Sequence, residues 1–248
     1  MAEWFENETF WEELYLFLFP ESRFAEALDQ VDSVLAISKP PGRDVLDLCC
    51  GPGRFSIAMA RNGYNVTGVD RSRYLLTRAR EHSRKTGLAI EWVEEDMRSF
   101  VRPASFDLIL SMFTSFGYFE DRNGDLLVFK NMFTNCRPGG VCILELKGKE
   151  QLAAIFQPTS ATTLADGSVL VERREIVDDW TRIKNEWILI RKDKAITFRF
   201  TLCLYSGQEL RDMLNSVGFS DISLYGNFEG APYGPETGRL VAVARKSG

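Results

Sequence analysis

The chain has 248 residues, 45% hydrophobic and 26% charged, with a formal net charge of −5. That length holds one large α/β domain with an insertion, and the composition is that of an ordinary globular protein. The negative balance gives no global field to recruit nucleic acid or anionic lipid, no apolar run approaches membrane-spanning length, and the start at Met1-Ala2-Glu3-Trp4 lacks the basic region of a signal peptide.

The first forty residues read as two helices. Phe10, Trp11, Leu14, Tyr15 and Leu18 recur at helical spacing, and a second helix carries Phe24, Ala27, Leu28, Val31, Val34 and Leu35. Lys39-Pro40-Pro41-Gly42 ends it. Strands are then expected near 44–48, 65–69, 89–93, 107–112 and 141–146, with helices over 54–62, 72–86 and 122–136. Gly63 and Gly87 stand where helices commonly stop. This alternation predicts a doubly wound, mostly parallel sheet of seven strands, a Rossmann-like α/β fold.

After Lys147 the pattern changes. Val169–Val177, Thr181–Arg191 and Ala195–Tyr205 alternate apolar and polar residues, separated by Asp178-Asp179 and Lys192-Asp193-Lys194. They predict an antiparallel meander of three strands. The parallel theme resumes with a helix over Gly207–Val217 and two last strands, Phe219–Tyr225 and Leu240–Ala244, as an antiparallel edge hairpin. The chain thus divides into an N-terminal helical cap (1–40), a ligand-binding core (41–150 and 206–248) and an inserted antiparallel subdomain (151–205). An insertion leaving after strand five emerges at the carboxyl edge of the sheet, where ligands bind, and is expected to cover the substrate.

The segment Val45-Leu46-Asp47-Leu48-Cys49-Cys50-Gly51-Pro52-Gly53-Arg54 identifies the ligand. An apolar strand runs into an acid, two close glycines and a helix opening. A dinucleotide loop would carry a third glycine where this chain has Ser56. Asp47 would repel a pyrophosphate and welcome an ammonium or sulfonium group. Asp70 ends the second strand, where a carboxylate accepts from both hydroxyls of a ribose. Glu94-Glu95-Asp96-Met97 places another acid beyond the third. An edge so lined suits a nucleoside that carries positive charge and no phosphates.

In these pieces the chain resembles the class I S-adenosylmethionine-dependent methyltransferases. The first motif is Asp47–Gly53, the second Gly68-Val69-Asp70 and the third Glu95-Asp96-Met97; Phe106–Met112 is similar to the fourth, and Arg137-Pro138-Gly139-Gly140 to the turn before the fifth strand. The family usually has glycine where this chain has Cys49. The resemblance implies S-adenosylmethionine as cofactor. Its amino acid end would lie against Asp47, Cys49, Gly51, Pro52 and Gly53, its ribose on Asp70, and its adenine between Arg71, Asp96 and the Met97 backbone, with Met112 near the sulfonium.

Methyl transfer requires a nucleophile held in line with the methyl carbon and sheltered from water. The aromatic run Phe113-Thr114-Ser115-Phe116-Gly117-Tyr118-Phe119 is expected to floor the acceptor pocket, with Tyr118 orienting or deprotonating the nucleophile. Trp4, Phe5, Trp11 and Tyr15 would form a lid. No Asn-Pro-Pro-Tyr/Phe signature of base or glutamine methylation follows strand four, which reads Ser111-Met112-Phe113-Thr114. The Phe113–Phe119 segment with a strand insertion after strand five resembles the branch that methylates amines or hydroxyls of small molecules, which implies a small-molecule acceptor, with neither nucleic acid nor membrane as partner; the sequence leaves the oligomeric state open. Alternatives are a macromolecular methyltransferase docking through Lys184, Arg191 and Lys192, a nicotinamide-dependent dehydrogenase, and a protein that binds the cofactor without turnover. Five cysteines without metal-ligand spacing read as reduced thiols of a cytoplasmic protein, no metal site is expected, and the single histidine, His82, reads as a surface residue.

Overall fold

Strong parallel strands form where apolar residues run without interruption, because both faces of such a sheet are covered by helices. The computed structural model describes residues 3–192 and 194–248, so Met1-Ala2 and Asp193 of the Lys192–Lys194 turn lie outside the described residues. A short 3-10 turn (Trp4–Glu6) is followed by helices α1 (Glu8–Glu13), α2 (Tyr15–Leu18) and α3 (Ser22–Ser38). Next come β1 (Asp44–Leu48), α4 (Arg54–Arg61), β2 (Asn65–Asp70), α5 (Arg73–Thr86), β3 (Glu91–Glu94), β4 (Phe106–Ser111), α6 (Arg122–Asn135) and β5 (Cys136–Leu146). The insertion contributes α7 (Lys149–Ile155), β6 (Thr159–Thr163), β7 (Val169–Val177), β8 (Arg182–Arg191) and β9 (Lys194–Cys203). The chain closes with α8 (Gly207–Ser216), β10 (Ser220–Tyr225) and β11 (Leu240–Arg245).

The main sheet has seven strands in the order β10-β11-β5-β4-β1-β2-β3. β3, β2, β1, β4 and β5 are mutually parallel, and β11 runs antiparallel to both β5 and β10. Alternate strand residues feed opposite cores. Val45, Leu108 and Ile143 pack toward α3 and α4 with Ala27, Val31, Phe55 and Met59. Leu46, Ile109 and Cys142 pack toward α6 and α8 with Phe129, Met132, Leu210 and Leu214. Chain order reverses between β1 and β4, which opens a crevice beyond their carboxyl ends.

The insertion is a separate antiparallel sheet of four strands, β6-β7-β8-β9, one more than the sequence pattern predicted. β6 has no apolar alternation to reveal it, and α7 is equally short of signal. The N-terminal segment also differs from expectation. The helix expected across Phe10–Leu18 breaks at Leu14, which joins α1 to α2 with φ −97° and ψ 4°. Helices of one turn or so have little stability of their own, so tertiary packing sets their direction. Leu14 and Phe10 are buried with Leu170, Leu189, Phe198 and Phe200 of the second sheet. Trp4 stacks on Phe200 with ring centroids 4.8 Å apart.

Candidate functional site

The crevice at the switch point opens beyond the carboxyl ends of β1 and β4, where ligands of α/β sheets bind. Its floor is made by the strand ends and the loops that follow them. The turn out of β1 is tight: Cys49 has φ 59°, a left-handed value that explains why glycine is usual at this place in the resembling family. The two motif glycines differ in task. Gly51, at φ 56°, faces the crevice, and a Cβ there would meet only the Phe19 ring at 3.5 Å. Gly53, at φ 85°, is pressed against Trp92, whose ring a Cβ would meet at 2.5 Å. Gly51, Cys49 and Asp47 line the crevice, whereas Pro52 and Gly53 lie outside its lining.

Asp47 is 2% exposed and accepts from Ser56 Oγ at 2.6 Å. Burial pushes its carboxyl up to about 6 against those Ser56 bonds, and the charge of Asp70 adds to the rise. Asp70 accepts from Gly51 N–H and Ser72 N–H, both at 2.8 Å. Burial also moves it up to about 6, although these backbone donors favour ionisation. Asp70 therefore braces the β1 turn and the start of α5 as well as facing the crevice. Ser56, in place of a third glycine, is the partner that holds Asp47.

Asp96 is embedded among arginines. Arg98 N–H and Nε donate to Oδ1 at 2.8 and 2.9 Å, and Arg71 Nη1 to Oδ2 at 3.3 Å. Burial opposes ionisation there, yet the Arg98 bonds outweigh it and hold the carboxyl below its ordinary value. Arg71 also pairs with Glu6 of the N-terminal segment at 2.7 Å. Met97 and Met112 line the crevice, and Met97 Sδ lies 3.6 Å from Cys49 Sγ.

Beyond β4, Phe113 and Thr114 are both left-handed, at φ 59° and 61°. Glu145 at the end of β5 holds this bend, accepting from Phe113 N–H at 2.5 Å and pairing with Arg239 at 2.9 Å. Phe113, Ser115 and Tyr118 line the crevice. Phe116 and Phe119 do not; they turn into the core, where Phe116 stacks on Phe129 at 4.4 Å. The Tyr118 ring lies 4.8 Å from Trp4. Burial pushes its hydroxyl well above the ordinary range, so at neutral pH it is a phenol, able to donate a hydrogen bond but poorly suited to act as a base.

The N-terminal segment roofs the crevice with Phe5, Trp11, Leu18, Phe19 and Arg23. Of the four lid candidates, Phe5 and Trp11 line it, Trp4 packs beside Tyr118, and Tyr15 packs on Phe19 and Tyr74. Glu8 ties the roof down by accepting from Ser72 Oγ and from the N–H groups of Arg73 and Tyr74 at the start of α5. The second sheet, expected to cover the substrate, contributes no lining residue among the described residues; it packs behind the roof. His82 is half-buried rather than a free surface residue, edge-on to Phe24 and with Nδ1 3.4 Å from Pro52 O. Arg23 and Arg54 also line the crevice, although no sequence motif assigns them to it. Arg54 did carry a signal, since a cation in the first turn of a helix opposes the helix dipole.

The donor set fits a cationic adenosyl ligand. Asp47 is buried and Asp70 half-buried, and both receive only hydroxyl and backbone N–H donors from the described residues. Two such carboxylates are better matched by a cation than by a phosphate. Residues 45–140 match the family model described as a methyltransferase domain. A glycine/sarcosine N-methyltransferase of Aphanothece halophytica is 26% identical over 208 residues, covering 82% of this chain and 76% of that protein. The fold superposes on an S-adenosylmethionine-dependent methyltransferase from Clostridium acetobutylicum with TM-score 0.80 at 17% identity, covering 97% and 98% of the two chains. An amino pentose methyltransferase from Micromonospora echinaspora, solved with S-adenosylmethionine bound, gives TM-score 0.72 at 20% identity, covering 96% of each.

Proposed function

We infer that this chain, which belongs to the class I S-adenosylmethionine-dependent methyltransferases, methylates an amine or hydroxyl of a small molecule. S-adenosylmethionine supplies an electrophilic methyl group on a sulfonium whose departure leaves a neutral thioether. In this reading Asp47, Cys49 and Gly51 hold the cofactor's amino acid end, with Pro52 and Gly53 shaping the turn. Asp70 takes the ribose hydroxyls, and Arg71, Asp96 and Met97 border the adenine. Met112 lies toward the sulfonium, and Tyr118 orients the acceptor by donating a hydrogen bond. The aromatic walls exclude water, which would otherwise compete for hydrogen bonds in the crevice.

The observation that carries a small acceptor is the roof: Phe5, Trp11, Leu18 and Phe19 close over the strand ends and leave a pocket rather than an open groove. The names of the glycine/sarcosine and amino pentose enzymes support the same class of acceptor. Among the described residues no helix is long and apolar enough to cross a membrane. The five cysteines are free thiols, which supports our placing the protein in a reducing cytoplasm. The test is a scan of small amines and hydroxy compounds for release of S-adenosylhomocysteine. At least one should be turned over; release only with RNA or protein acceptors would overturn the small-molecule reading.

A further inference from the structure

Arg54 opens α4, lines the crevice and is 7% exposed. Its guanidinium carbon lies over two aromatic rings, 3.9 Å from the Phe113 centroid and 5.5 Å from that of Phe19. Nη1 is buried and has no hydrogen-bond partner among the described residues. Three carboxylates act on it through space without bonding to it: Glu145 is held by Arg239 and the Phe113 N–H, Asp47 by Ser56, and Glu26 makes no ion pair with Arg54 among the described residues. Burial, reinforced by the charge of Arg23, moves the Arg54 guanidinium down to about 10. The α4 N-terminus adds to the positive field, since its N-cap, Gly53, offers no side-chain acceptor.

A buried cation without a counter-ion is costly to keep. It is retained where a ligand brings the anion. A guanidinium fork matches a carboxylate through two parallel bonds, and the nearby Asp47 and Asp70 disfavour a doubly charged phosphate. Position decides whose carboxylate it is. Arg23 belongs to the same roof segment as Phe19, which overhangs Gly51 and so the cofactor's amino acid end. Arg54 is pressed on Phe113, in the loop after β4 that also brings Ser115 and Tyr118 to the acceptor side.

We propose that Arg54 anchors a carboxylate of the methyl acceptor, so that the substrate is a small amine or hydroxy compound bearing a carboxylate, such as an α-amino acid. The inference rests on the small-molecule reading above. The crevice is then charge-divided: an acidic end toward the adenosyl cation and a basic end toward the anionic acceptor.

The test titrates the full chain, saturated with S-adenosylhomocysteine, with acetate and with acetamide, and repeats the titration on Arg54→Lys and Arg54→Met. Wild type should prefer acetate at least tenfold. Arg54→Lys should weaken acetate tenfold or more and Arg54→Met should abolish the preference, both keeping S-adenosylhomocysteine affinity within about threefold. The wild-type preference is informative even if a variant fails to fold. Equal response to acetate and acetamide overturns the proposal. So does a tenfold loss of S-adenosylhomocysteine affinity in the variants, which would make the cofactor's own carboxylate the occupant. In the acceptor scan, turnover of carboxylate-free compounds alone overturns the anchor and leaves the small-molecule reading intact; turnover of macromolecules alone overturns both.

Discussion

The floor and the roof of the crevice are built by different means. The floor is local and parallel: Asp47, Asp70 and Asp96 sit at or just beyond strand ends, each fixed by donors close in chain or on the neighbouring strand loop. The roof is remote and conditional. α1 and α2 have six and four residues, too few to persist alone. They hold their place by packing on the second sheet and by ties to the floor, Glu3–Arg98 and Glu6–Arg71, each at 2.7 Å. The binding groups are thus assembled before any ligand arrives, whereas the cover depends on contacts that can be lost without unfolding the core. Such a cover is a natural route for ligand entry.

The strongest way to break this contrast is to remove the roof's anchor. Phe10 is 4% exposed and lies between Trp187, Phe198 and Phe200. Phe10→Ala should lower unfolding free energy by about 3–5 kcal/mol and weaken S-adenosylhomocysteine binding, as read by denaturant titration and calorimetry. Unchanged cofactor affinity would show that the roof is dispensable. The same logic applies to deleting residues 1–20, which should weaken cofactor binding sharply in a chain that still folds.

On the floor, Asp70→Ala should cost about 2–4 kcal/mol of cofactor binding through the loss of a bidentate charge-assisted contact. A wild-type dissociation constant would remove Asp70 from the ribose.

A pH titration sharpens the contrast further. Asp47 and Asp125 are sealed carboxyls raised by burial to about 6, and Asp70 is raised alike. Asp125 accepts from Tyr205 at 2.6 Å, away from the crevice lining. Between the unfolded value near 4 and this folded value, the folded state binds more protons. Stability of the ligand-free protein should therefore rise as pH falls from 7 to 5, by about 1 kcal/mol for each such group. Cofactor affinity should fall over the same window as Asp47 and Asp70 neutralise. Parallel trends in thermal midpoint and affinity would contradict this assignment.

The smallest effect belongs to the half-exposed ties. Glu3→Gln and Glu6→Gln should each change global stability by no more than about 1 kcal/mol. They should nonetheless raise amide exchange over residues 3–19, and 1 M salt should mimic them. Unaltered exchange there would mean that packing alone holds the roof.

Much of the floor was legible in the sequence because its signals are local. The spacing of Asp47, Gly51 and Gly53, the acids at 70 and 96, and the alternation of strands and helices each report on neighbours in chain. The roof was legible only as an apolar stripe, since Phe10 and Leu14 face residues some 160 to 190 positions onward. Arg54 illustrates the same limit. Its type and place are written in the chain, but that Nη1 has no partner among the described residues emerges only once Phe113 packs against it and Arg239 takes up Glu145.

The parallel sheet, the acidic edge and the choice of a cationic nucleoside over a dinucleotide are encoded locally, because turn geometry and strand-end chemistry act within a few residues. Only the packed molecule shows that the inserted sheet backs the roof instead of lining the crevice, that Gly53 serves Trp92, and that a buried guanidinium rests on Phe113 with Nη1 unpartnered among the described residues. Burial and charge pairing are properties of distant segments brought together, and no local pattern encodes them.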